Sequence, residues 1–315
     1  MRMRSLLVFA LLMILAVGTA FARGGGEEGP ATIAVIVPGV ENPFFGTMQE
    51  MAIAQAEELG YETIGLVHND DPALQLEQFE SVIAQGVAAI IVDNAGTDAT
   101  IAAVQLAVDA GIGVFCVDRE ISTDGLAISQ IVSNNYQGAT ILAEEFAMHM
   151  EYGGTYIELT GRDTDTNAHV RSQGYHDVLD NYPDMQMVGQ QTANWSQTEG
   201  LEVTETLLQQ NPGIRGIICG NDTMALGAQA AVMAAGRDDI IVCGFDGSDD
   251  VLDSIKRGEI EATSLQPVAE MAQRAAIQAD LWIRTGSTGQ PERQSIDMVL
   301  ITADNADDYF AFAPK

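Results

Sequence analysis

The stretch ATIAVIVPGVENPFFGTMQEMAIAQAEELGYETIGLV (residues 31–67) decides how this chain folds. Its first eight residues are apolar, largely β-branched and closed by Pro38, as expected of a strand buried on both faces. From Pro43 to Leu59 the apolar Phe45, Met48, Ala52 and Leu59 recur on one helical face, and Gly60 ends the helix where left-handed geometry is cheap. YETIGLV then returns to strand chemistry. A strand, a helix and a second strand in this order predict a crossover joining two parallel strands.

The alternation continues outward. A helix over Pro72–Gln85, the strand VAAIIVDNA, a helix over Ala99–Ala110 and the strand GVFCVD complete a first series. A second series starts at AISQIVSNN. It runs through a helix over Gln137–Met150, GGTYIELTG, a helix near Val170–Asn181 and MQMVGQQTA. A helix over Gln197–Gln209, IRGIICGND, a helix over Met224–Ala235 and DIIVCGFDG complete it. Two halves of similar length and pattern predict two similar doubly wound α/β domains with parallel sheets. The remaining helix, Val268–Arg284, and the run SIDMVLIT are expected to return across both. The expected partition is residues 31–133 plus 266–296 for the first domain and 134–265 plus 297–315 for the second. Three hinge crossings are expected, near Ser133–Asn134, Leu265–Gln266 and Ser295–Asp297.

Composition narrows the function. The 315 residues are 47% hydrophobic and 19% charged, a globular balance. Asp and Glu number 45 against 14 Lys and Arg, a net charge of -31, so the clustered cations that bind nucleic acid are missing. Lysine occurs only at Lys256 and Lys315. Such an acidic surface repels itself unless salt screens it. A saline habitat is one reading, and acidic drift for solubility is the other.

Arg2 and Arg4, the apolar Leu6–Val17 and the Ala20-Phe21-Ala22 site read as a signal peptide over residues 1–22, with a flexible leader over 23–30. The expected location is therefore periplasmic or otherwise extracytoplasmic; retention as an uncleaved anchor is the alternative. Cys116, Cys219 and Cys243 each sit in an apolar run and read as buried free thiols, with a Cys219–Cys243 bridge as the alternative.

The candidate site residues share one location, the carboxyl ends of strands, where open parallel sheets bind ligands. Asn42, Phe44 and Phe45 follow the first strand, Asp93 the third, and Asp118 and Arg119 the fourth. Arg171, Trp195, Asn221, Asp246 and Gln266 hold comparable positions further on. Flat aromatics beside carboxylates, guanidinium and amide groups suit a sugar, whose C–H patches stack and whose hydroxyls both donate and accept. Each residue has a plainer reading. Phe44 and Phe45 could be core, Asn221 and Asp246 helix caps, and Asp118–Arg119 a surface ion pair.

No H-x-x-x-H pair, G-x-S-x-G elbow, phosphate-binding loop or calcium-loop pattern is present, so no catalytic residue, metal or cofactor is expected.

The ordered series ENPFF, GYETIGLV, IIVDN, CVDRE, RSQGY, GNDTMALGA and CGFDG resembles the ribose-binding members of the type I periplasmic sugar-binding proteins from about Ala31 to the last strand. The resemblance implies a two-domain binding protein that closes on a small sugar or polyol and delivers it to an ABC permease in the inner membrane. It also implies that Asn42, Phe44, Phe45, Asp118, Arg119, Arg171, Trp195, Asn221, Asp246 and Gln266 contact the ligand. Two positions depart from the ribose binders. Asp93 stands where they typically carry asparagine, so a carboxylate that only accepts is expected to face the ligand there. Trp195 stands where they often carry phenylalanine, enlarging the stacking plate. Both put ribose in doubt and leave another pentose, a sugar alcohol or a cyclitol. The chain is expected to be a monomer and not an enzyme. A sensor presenting ligand to a chemoreceptor or kinase is the first alternative. A lactose-repressor-type regulator is the second, but it would need an N-terminal DNA-binding segment.

Overall fold

A computed structural model of the chain describes residues 30–315. The expected signal peptide, and the leader apart from Pro30, lie outside the described residues. The first half runs β1 (Thr32–Val37), α1 (Pro43–Glu58), β2 (Glu62–Val67), α2 (Pro72–Gln85), β3 (Ala89–Val92), α3 (Ile101–Asp109), β4 (Gly113–Val117) and β5 (Ser129–Ser133). The second runs α4 (Asn135–His149), β6 (Gly154–Thr160), α5 (Thr166–Leu179), β7 (Met185–Thr192) and α6 (Gln197–Gln210). It continues through β8 (Gly216–Cys219), α7 (Asp222–Ala234), β9 (Ile241–Asp246), α8 (Asp249–Lys256) and β10 (Ala262–Leu265). Then come α9 (Val268–Thr285), β11 (Arg293–Ile296), β12 (Val299–Thr302) and a terminal hairpin, β13 (Tyr309–Phe310) with β14 (Ala313–Pro314).

Two six-stranded sheets result, ordered β11-β5-β4-β3-β1-β2 and β12-β10-β9-β8-β6-β7. They match over five strands and differ at the edge: β11 runs parallel to β5, whereas β12 runs antiparallel to β10, and every other pair in the two sheets is parallel. In each sheet the strand order reverses beside the first strand of its series, which opens a crevice at the carboxyl ends. The central strands are buried on both faces, as the unbroken apolar runs Ala89–Val92 and Gly113–Val117 require. The chain passes between the sheets three times: from β5 into α4, from β10 into α9, and from β11 into β12. Phe312 lies in the core under α1 and α9, while Tyr309 packs against the core of the other sheet, so the terminal hairpin touches both domains.

The helix starts explain the site's position. Asn42, Asp71, Asn134, Asp165, Ser196 and Asn221 each cap a helix through the side chain, satisfying amides that have no intrahelical partner. Because those helices follow strands of parallel sheets, the caps crowd the strand ends.

Three expectations need correction. The strand β10 and the short helix α8 were not anticipated, since DDVLDSIK offers barely two turns of periodicity. Helix α5 begins at Thr166, a full turn before the expected Val170. The alternative Cys219–Cys243 bridge is excluded: all three cysteines are free, and Ile218, not Cys219, pairs with Cys243 across β8 and β9. Successive strand residues point to opposite faces, so the two thiols lie on opposite sides of the sheet. Burial pushes all three thiols up, Cys116 to about 12, which keeps them protonated and unreactive.

Candidate functional site

The two sets of strand ends face each other across one small cleft, lined by Asn42, Phe44, Phe45, Asp118, Arg119, Asp165, Asn167, Arg171, Trp195, Asn221, Asp246 and Gln266. Ten of the eleven residues singled out in the sequence are in that wall. Asp93 is not, and Asp165 and Asn167 were missed. The walls leave room of only about 20 Å³, far below the ~300–1,000 Å³ of a drug-sized ligand site, so they stand close together.

On the first-domain wall, Asn42 caps α1 by accepting from the Phe44 amide at 3.0 Å. Phe44 and Phe45 meet edge to face at 5.5 Å, and Phe44 rests against Phe312. They are thus both core and wall. The Arg119 guanidinium lies 5.1 Å over the Phe45 ring. Its Nη1 donates to Asp70 Oδ1 at 2.7 Å and to the Asn94 carbonyl at 3.0 Å. The Asp118–Arg119 pair is buried, which excludes a surface ion pair.

On the second-domain wall, Arg171 projects from α5. Its Nε donates to Asn135 Oδ1 at 2.8 Å, and its Nη1 to the Gly220 carbonyl at 2.7 Å and Asp246 Oδ1 at 3.4 Å. It also sits between Trp195 at 5.2 Å and Phe245 at 4.0 Å. The indole of Trp195 fits because its floor is glycine: a Cβ on Gly161 would lie 1.9 Å from the ring. Asn221 caps α7 and lines the cavity at once, whereas Asp246 caps nothing; Ser248 precedes α8. Gln266 donates to Asp246 Oδ1 at 2.7 Å, and its own Oε1 is buried without a partner, an acceptor left for a ligand hydroxyl.

Three wall residues hold unusual backbone: Asp118 at φ 65°, Trp195 at φ 62° and Asp246 at φ 131°. Strain of this kind costs about 1–3 kcal/mol per residue and collects at ligand sites. Aspartate tolerates the left-handed angle of Asp118, but the bulky Trp195 does not favour its own, so the surrounding packing must enforce it.

Electrostatics sets the two carboxylates apart from ordinary surface acids. Burial raises Asp118 to about 6, against the pull of Arg171. Burial also raises Asp246 well above the usual carboxylate range, again opposed by Arg171. Asp93, expected to face the ligand, does not line this cleft. It is buried behind Arg119, 3.5 Å from its Nε, and neither of its oxygens has a hydrogen-bond partner. Burial pushes it well up, opposed by Arg119 and helped by Asp118, Asp165 and Asp70, which favours its protonated form.

The missed residues come from the first turn of α5. Asn167 Nδ2 donates to the Asp118 carbonyl at 3.2 Å, and Asn167 Oδ1 accepts from Asn135 at 3.1 Å. Asp165 caps α5 and accepts from Trp195 Nε1 at 3.1 Å. Asn167 stands one turn before Arg171 on the same helical face, a signal available in TNAHVR had the helix been started earlier. Among the described residues no cluster of metal-ligating side chains occurs.

This fold and cleft define a two-domain binding protein, and the chain belongs to the periplasmic binding protein family: the family's domain model matches residues 33–283. The D-apiose import binding protein of Actinobacillus succinogenes is 55% identical over 87% of this chain and 89% of that protein. The ribose import binding protein of Salmonella typhimurium is 31% identical over 79% of this chain and 83% of that protein. A solute-binding protein of Bacillus halodurans, solved with myo-inositol bound, superposes with a TM-score of 0.84 at 26% identity, covering 91% of this chain and all of that one.

Proposed function

We propose that this protein is the extracytoplasmic solute-binding component of an ABC importer and that its cargo is D-apiose. The observation that carries this reading is the small cleft between the domains and the residues that line it. Its aromatic faces meet carboxylate, guanidinium and amide groups, with no nucleophile–base pair among the wall residues. The choice among sugars follows the gap between the 55% identity to a D-apiose import binding protein and the 31% to a ribose import binding protein. D-apiose is a branched pentose that closes only as a five-membered ring. Phe44, Phe45 and Trp195 supply faces for its C–H groups. Asp118, Asp246 and Gln266 Oε1 accept from its hydroxyls, and Arg119, Arg171, Asn42 and Asn221 donate to them.

Mechanism follows from geometry. Wall residues come from both sheets, so only the closed arrangement satisfies a ligand on all sides, and ligand shifts the population toward closure. A membrane permease would then read the closed form, and export through a cleaved signal peptide would bring the protein there. Calorimetric titration with D-apiose, D-ribose, D-allose and myo-inositol tests the reading. D-apiose is expected to bind at least about tenfold more tightly than the others, a gap of about 1.4 kcal/mol. Tighter binding of any of the three would overturn the assignment of cargo.

A further inference from the structure

We infer that Asp165 is a positioning residue that couples domain closure to ligand retention, by tying Arg119 of one domain to Trp195 of the other. The inference rests on the sugar-binding reading and concerns how fast the sugar leaves.

The Asp165 carboxylate divides its work. Oδ1 accepts from the Asn167 amide at 2.9 Å and caps α5. Oδ2 accepts from Trp195 Nε1 at 3.1 Å and lies 2.8 Å from Arg119 Nε. The first two contacts stay inside the second domain, so they persist whether the cleft is open or shut. The third crosses the cleft, because Arg119 follows β4 of the first sheet. Arg119 Nε makes no aligned hydrogen bond, so the attraction is between charges rather than along an N–H direction.

Two comparisons single this contact out. The other cross-cleft ion pair, Arg162 with Asp70 at 3.2 Å, has a guanidinium 39% exposed, which solvent and salt screen. Arg119 and Asp165 are 4% and 5% exposed, where a charge pair keeps far more of its strength. On opening, Arg119 still has Asp70, Asp93 and Asp118 in its own domain, so parting from Asp165 leaves no isolated cation. The contact can therefore be broken reversibly. Trp195 adds the link to the ligand: its bulky side chain sits on left-handed backbone, φ 62°, and the bond to Asp165 helps fix the plane of its ring.

Asp165→Asn removes the cross-cleft contact while keeping the helix cap. The amide oxygen can take the place of Oδ1 at the cap, but the NH2 group then replaces Oδ2, so the charge facing Arg119 and the acceptor for the indole are lost together. The readout is stopped-flow fluorescence in a Trp282→Phe background, which leaves Trp195 as the only tryptophan. With D-apiose, dissociation is expected to quicken by about tenfold or more while association changes less than about threefold. A purely structural role for Asp165 would lower the melting temperature without this split. An unchanged dissociation rate, or equal changes in both rates, overturns the inference while leaving the sugar reading intact. If the parent protein binds none of the sugars, the sugar reading fails, and small-angle scattering of the ligand-free proteins decides alone. A larger radius of gyration for Asp165→Asn supports the clasp, and equal radii overturn it.

Discussion

Arg119 and Arg171 face the same cavity from opposite domains, and their surroundings differ in kind. Arg171 sits in a largely neutral cradle, with the Asn135 amide oxygen, the Gly220 carbonyl and two aromatic faces joined by the single carboxylate of Asp246. Every one of these groups belongs to its own domain, although its charge also pulls on Asp118 across the cleft. Arg119 sits among four carboxylates, Asp70, Asp93, Asp118 and Asp165, the last supplied by the other domain. Burial works against the Arg119 charge, yet those four acids more than offset it and hold the guanidinium above its ordinary pKa. The second-domain wall is thus built before the cleft shuts, and the first-domain wall is completed by shutting.

The largest expected effects come from removing each arginine. Arg171→Ala strands Asp246 and two buried acceptors, and is expected to cost about 3–5 kcal/mol of stability together with at least about a hundredfold in sugar affinity. Because two of those acceptors cannot titrate, most of the stability loss should persist from pH 8 to pH 5. Arg119→Ala should lose as much at pH 8 but recover part of it at pH 5. Its stranded carboxylates bind protons in the folded state more readily than in the unfolded one, and that difference raises stability as pH falls. Urea melts of both variants at the two pH values check the contrast; parallel pH profiles would erase it.

Next in size is Asp118. Its folded pKa of about 6 lies above the ordinary 3.8, so the buried carboxyl costs nothing below the unfolded value and its full penalty once pH passes 6. Ligand hydroxyls donate to the ionised form, so sugar affinity is expected to fall by about tenfold per pH unit once pH drops below 6. Asp118→Asn should remove the penalty, gaining up to about 3 kcal/mol at pH 8 while weakening the sugar. Titration calorimetry across pH 5–8 and melts of the variant test both. A flat affinity profile would mean that Asp118 does not accept from the ligand.

The contrast between the walls also marks what the sequence makes legible. Position along the chain places Asn42, Asp118, Arg119, Asn221 and Asp246 at strand ends that parallel topology brings together, whereas the roles of Arg171, Trp195 and Gln266 follow from the family resemblance. Position does not identify Asp165 and Asn167, since TDTNAHVR has no apolar residue until its fifth, Ala168, and the first turn of α5 therefore carries no periodicity. Nor could it show that Asp93 stands behind Arg119 rather than beside the cavity. The end of a strand fixes where a residue begins; depth in the wall depends on what the next loop covers it with. DDVLDSIK and ATSL failed for another reason. A helix of two turns and a strand of four residues carry too little pattern to separate from loop.

Asp93 supplies a smaller and sharper test. Burial favours the protonated form of Asp93, which has nearly the same shape as asparagine. Asp93→Asn is therefore expected to change sugar affinity by less than about threefold and stability by less than about 1 kcal/mol. A tenfold loss of affinity would mean that Asp93 acts as an anion holding Arg119, and the first wall would need its charge recounted.

The second domain has its own buried acid, Glu158 on β6, and treats it differently. Glu158 accepts from Gln190 Nε2 at 2.8 Å and faces His176 Nε2 at 3.3 Å, whereas Asp93 has no hydrogen-bond partner at all. The hydrogen bond to Glu158 is the main cause that raises His176 to about 9, against partial burial. The folded pKa lies above the unfolded 6.5, so this pair's contribution is complete below pH 6.5 and is lost as pH rises through 9. The imidazole is partly exposed, so solvent reduces the effect to a fall in melting temperature of about 2–5 °C between pH 7 and pH 10. His176→Gln should abolish that slope while leaving the sugar's affinity unchanged. Glu158 lies on β6 beneath α5, away from the cavity wall, so a change in affinity would tie the second domain's interior charge to the cleft and end the separation between the two walls.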